Sequence, residues 1–149
     1  MRYIFTALIL SVLMLAYAPL AVGVVHGQTA PQFEAAGTDA AKAAAFLKTL
    51  QSAVAVGNCL KVASLIEFPL TAWANGEQIT VENESEFHAK YRQVFTPELK
   101  KAIAAARPET LSANQEGVMF DNGRVCFRPV AADKNALRVV AITEGAQTR

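Results

Sequence analysis

The chain has 149 residues, of which 52% are hydrophobic, and its 14 Lys and Arg face 13 Asp and Glu for a formal net charge of +1. That length suits one domain with its own core, and a second folded domain is not expected. The single surplus charge is Arg2, so the rest of the chain is balanced, with no basic stripe or arginine-rich tail to neutralise phosphates, which excludes nucleic acid as a partner.

The amino terminus reads as an export segment. Met1-Arg2 is followed by an uncharged run from Tyr3 to Val25, with an apolar centre at Leu8 to Leu15. Cleavage after Gly27 is preferred, because cleavage after Ala30 would place Pro31 just beyond the scissile bond. The expected location is therefore periplasmic or secreted. The same run is long enough to act as an uncleaved anchor, which gives the alternative of an inner-membrane-anchored exported domain, with membrane contact only in that case. The organisation expected is a signal at 1–27, a polar, small-residue tether at 28–39 and one domain at 40–149.

The alanine-rich stretch from Ala40 is a strong helix former, and Phe46, Leu47, Leu50 and Val54 give it one apolar face, with Asp39 or Thr38 as its cap. Gly57-Asn58 ends or bends this helix, and Cys59 to Ile66 reads as a second, shorter one. After Pro69, Leu70 to Trp73 and Gln78 to Val81 read as strands joined by an Asn75-Gly76 turn. A helix capped by Asn83 follows from Glu84, with Phe87, Tyr91, Val94 or Phe95, Leu99 and Ile103 on its face. Pro97 is expected to kink it, or to restart it with Thr96 as cap. The last third changes to period two. Residues 116–121 and 124–128 meet across Asn122-Gly123, so Phe120 faces Val125, Val118 faces Phe127, and Cys126 points to the opposite face beside Met119. Leu137 to Ile142 supplies a further strand. This order fits an α+β fold in which a curved antiparallel sheet is packed against helices.

Several phrases resemble the cone-shaped nuclear transport factor 2-like (SnoaL-like) superfamily, in particular its small exported bacterial members. They are Ile66 to Leu70, Phe87 to Pro97, and Glu116 to Phe127. The resemblance implies a pocket between the helices and the concave sheet, and it transfers no catalytic pattern, because such folds serve isomerases, hydrolases, cyclases and proteins that only bind.

Cys59 and Cys126 form an even pair, and in an oxidising compartment a disulfide between them would contribute about 4 kcal/mol by closing a long loop. The alternative is two reduced thiols acting as small hydrophobes. His88 is the candidate acid-base residue, one helical turn after Glu84. With His26 in the export segment it is the only other histidine, so a histidine zinc cluster is excluded. Asp121 is a candidate pocket carboxylate whose place before Asn122-Gly123 also suits a turn. Arg124 and Arg128 alternate onto one strand face and are candidates for an anionic group. Trp73, Tyr91, Phe95, Phe120 and Phe127 are the candidate lining of an apolar pocket. No phosphate loop, metalloprotease helix or nucleophile elbow is present, and no catalytic residue, metal or cofactor is assigned. The leading expectation is a non-catalytic exported binding protein for a small apolar ligand or an envelope protein. The alternatives are a small isomerase or hydrolase using a pocket carboxylate or His88, and a homodimeric structural component.

Overall fold

The computed structural model describes residues 30–143, and the expected export segment lies outside them. Six α-helices or helical turns come first in the chain or between strands: α1 (Ala30–Ala35), α2 (Ala40–Ala55), α3 (Cys59–Ser64), α4 (Glu84–Val94), α5 (Pro97–Ala105) and a 3-10 turn at Pro108–Thr110. The strands are β1 (Ile66–Ala74), β2 (Glu77–Val81), β3 (Ser112–Asn114), β4 (Gly117–Phe120), β5 (Val125–Val130) and β6 (Asp133–Ile142), and they form one sheet in the order β2-β1-β6-β5-β4-β3.

The α+β class holds, but the sheet is mixed rather than antiparallel, because β6 lies parallel to β1 while every other pairing is antiparallel. The cause is connectivity. Strand β6 pairs antiparallel to β5 and so runs in the direction of β1, and the long intervening chain through α4 and α5 permits a parallel neighbour that a tight turn would forbid. Register shifts interrupt the β1–β6 and β5–β6 ladders, and the first spans the cis Phe68–Pro69 bond.

Local chemistry sets the element ends. The side chain of Asp39 accepts from the Lys42 N–H at the start of α2, and that bond is the main reason its carboxyl lies below the usual range. Gly57, at φ +66°, closes α2: its N–H donates to the Val54 carbonyl and the Asn58 N–H to the Ala53 carbonyl. These two bonds are the crossed pair of a Schellman ending. Thr96 caps α5 with Pro97 inside its first turn, so the interrupted pattern is two helices rather than one kinked helix. Gln51 of α2 donates from Nε2 to the carbonyls of Ile103 and Ala106, which ties the end of α5 to α2.

Helix α1 forms where a tether was expected. Its phenylalanine explains why: Phe33 is 3% exposed and, with Ala36, joins the core. The Asn122-Gly123 hairpin has the expected register, Val118 opposite Phe127 and Phe120 opposite Val125. Phe46 of α2 packs on Phe127 at 4.7 Å between ring centroids, and Phe87 makes edge contacts with Phe68, Tyr91 and Phe95. Helices α2 to α5 thus cover the face that carries Phe120, Val125 and Phe127.

Candidate functional site

The proposed pocket residues are placed mostly in the core. Phe95 and Phe120 are each 1% exposed and Phe127 is 0% exposed, so their rings fill the space between helices and sheet. Tyr91, 9% exposed, stacks on Phe95 at 5.3 Å with the Lys100 ammonium 5.1 Å from its ring centroid. Trp73 stands apart from that group. It lines a cleft of about 230 Å³ with Gly76, Thr96, Leu99 and Arg124.

A larger groove, of about 530 Å³, opens where the end of α1 meets β1, β5 and β6. Its wall is formed by Ala36, Pro129, Val130 and Val140, and its polar members are Glu67 and Arg128. Strand alternation produces this wall: Ile66, Phe127 and Val139 enter the core, and their neighbours Glu67, Arg128 and Val140 face outward. Gly37, at φ +75°, supplies the left-handed turn that ends α1 beside Pro129. The two candidate arginines do not share a guest. Arg124 lies in the turn, with Nε 3.4 Å from the Asp121 carboxylate, and Arg128 lies in the groove. Asp121 is an exposed turn residue at φ +53°, and it lines no part of that groove.

Cys59 and Cys126 are both free, which overturns the expected disulfide. The sheet explains the separation. Cys126 alternates with buried Val125 and Phe127 and so points away from the helices, with its thiol near the Glu116 carbonyl. Cys59 begins α3, on the helical side. The reduced-thiol alternative describes the pair. Burial pushes both thiols above the usual range, with the Glu84 carboxylate adding to the effect on Cys59.

Cys59 has a different neighbour: its Sγ is 3.1 Å from Nδ1 of His88. The opposite ring nitrogen, Nε2, is 3.6 Å from Oε1 of Glu84. The Gly57 ending and the Asn58 cap, whose side chain accepts from the Lys61 N–H, fix where α3 begins. Val62 and Ala63 then bury against α4, which turns Cys59 toward His88. The Tyr91 hydroxyl is buried with no hydrogen-bond partner, and its pKa is raised by burial and, secondly, by the charge of nearby Cys59. Sequence reasoning found His88 with Glu84 through their four-residue spacing. It missed Cys59, because that contact depends on how α3 packs on α4. Among the described residues no group of three or more His, Cys, Asp or Glu is placed to hold a metal. In this trio the imidazole uses its two nitrogens in opposite directions, so the three donors do not converge.

Compared with known protein families, curated proteins and solved structures, the chain matches none.

Proposed function

We propose that this chain is an exported binding domain of the nuclear transport factor 2-like type, and that it holds a small, largely apolar molecule bearing one anionic group. The observation that carries this reading is the groove of about 530 Å³ at α1, whose apolar wall contains a single cation, Arg128. That volume lies within the range of small-molecule sites, which combine apolar walls with few orienting polar groups. The apolar part of the guest would lie on Val130, Pro129 and Val140, and its anionic end on Arg128, while Glu67 selects against a second negative charge. The strand order and the helices on one face support the family reading.

The test is native mass spectrometry of protein purified gently from the envelope fraction, compared with the same sample denatured. A retained mass that disappears on denaturation, and is absent from Val140→Arg protein of unchanged melting temperature, is the expected result. Bare protein in the wild type, or equal retention in the variant, counts against the groove. Peptide mapping of the same sample tests export, with a mature amino terminus at Gln28 expected.

A further inference from the structure

The helical side of the molecule carries a second locus, which the binding reading does not use and on which it does not depend. We propose that Cys59 is a nucleophile toward small activated acyl compounds, esters and thioesters, with His88 as its general base and Glu84 as the residue that orients the imidazole. Three observations carry this. The His88 ring stands between Cys59 and Glu84, with Nδ1 3.1 Å from the sulfur and Nε2 3.6 Å from the carboxylate. With the ring proton on Nε2, facing Glu84, Nδ1 offers its lone pair to the thiol, which is the order nucleophile, base, orienting group. Cys59 is also only partly buried, so a small acyl group has access to it. Finally, among the described residues the Tyr91 hydroxyl is one of two buried side-chain oxygens without a partner, and it lies close enough to Cys59 to sense its charge. A buried donor left unpaired is costly unless something else engages it.

The reaction balances without a further reagent except water. Sγ attacks the acyl carbonyl carbon as the thiol proton moves to Nδ1 of His88. The tetrahedral adduct collapses, the bond to the leaving oxygen or sulfur breaks, and the leaving group takes the proton from Nδ1. A thioester remains on Cys59. Water attacks it, its proton passes through Nδ1 to the departing thiolate, and a carboxylic acid is released. Because burial and Glu84 hold the thiol above its usual range, the resting sulfur is protonated. His88 therefore acts during attack rather than as half of a standing ion pair.

The experiment treats the full chain with p-nitrophenyl acetate, follows nitrophenolate release, and maps acetylation by peptide mass, with Cys126 as an internal reference. The expected result is an initial burst, acetyl on Cys59 before Cys126, no burst in Cys59→Ala, and Cys59 acetylation slowed by about a hundredfold in His88→Gln. Acetylation of Cys59 at the same rate in His88→Gln, or a burst that survives Cys59→Ala, overturns the proposal. Glu84→Gln supplies an independent readout. The charged or titratable groups facing the thiol are Glu84, His88 and Tyr91, and removing the Glu84 charge should move the pH profile of acetylation to lower pH. An unmoved profile would remove Glu84 from the orienting role, which a merely structural helix residue would also predict.

Discussion

At the scale of single residues, burial and spacing separate what the sequence shows from what it hides. The pair Glu84 and His88 is visible as a helical i,i+4 spacing, and Asp121 is visible as a turn residue. The partner of Cys59 is invisible, because a contact between two helices has no period in the sequence. Tyr91 shows the energetic side of the same point. Its hydroxyl is buried without a partner, so Tyr91→Phe should be neutral or stabilising by up to about 1 kcal/mol near neutral pH, measured by urea unfolding. The sign with pH follows from burial, which raises the phenol pKa in the folded state. The stabilisation tied to the neutral phenol is complete below the unfolded value of about 10 and is lost as pH rises through the folded value. The wild type should therefore lose more stability than Tyr91→Phe above about pH 10; parallel curves would contradict this. Gly117 is a harder constraint. Its φ is +146°, and a side-chain carbon there would stand 2.7 Å from the Phe127 carbonyl oxygen. Gly117→Ala should cost about 1–3 kcal/mol, read from the denaturation midpoint.

At the scale of elements, ends were more legible than partners. Gly57-Asn58, Asn83 and Thr96-Pro97 end or begin helices as their chemistry requires, and both Asn-Gly turns join antiparallel strands. Three short elements escaped, the 3-10 turn at Pro108–Thr110 among them. Helix α1 has too few residues for a helical period and is recognised only by the burial of Phe33, and β3 is three residues long and gains its identity from pairing with β4. Thr96→Ala removes the bond to the Leu99 N–H and should cost about 1 kcal/mol, whereas Phe87→Ala removes the ring on which Phe68, Tyr91 and Phe95 converge and should cost about 3–5 kcal/mol. Equal losses from the two changes, measured by thermal or urea unfolding, would show that α4 is not held by its aromatic face.

At the scale of the whole molecule, the class and most of the element order could be read from the chain, and the sheet's direction could not. Period-two patterns report which face of a strand is buried, and they are the same for parallel and antiparallel neighbours. The candidate sites divide in the same way. Of the aromatic set, Tyr91, Phe95, Phe120 and Phe127 form the packing itself and Trp73 lines a separate cleft, while the groove at α1 depends on a helix in the stretch expected to be a tether. The separation of the thiols has a global test: because Cys59 and Cys126 are unbonded, a reductant should leave the melting temperature unchanged. A fall of several degrees would mean that a disulfide contributes to the fold.

Strand β6 sits between β1 and β5, which makes the last strand described a central plank of the sheet. During synthesis the β1–β2 hairpin and its helices leave the ribosome long before the strand that joins them to the β3–β5 meander. Until then each half has an open edge with unpaired backbone groups, a form prone to pairing with other chains. Completion of the fold is therefore a late, long-range event, and a chaperone that shields extended segments would act on the interval before β6 docks. A chain stopped before Asp133 would be two unjoined half-sheets, not a slightly shorter domain.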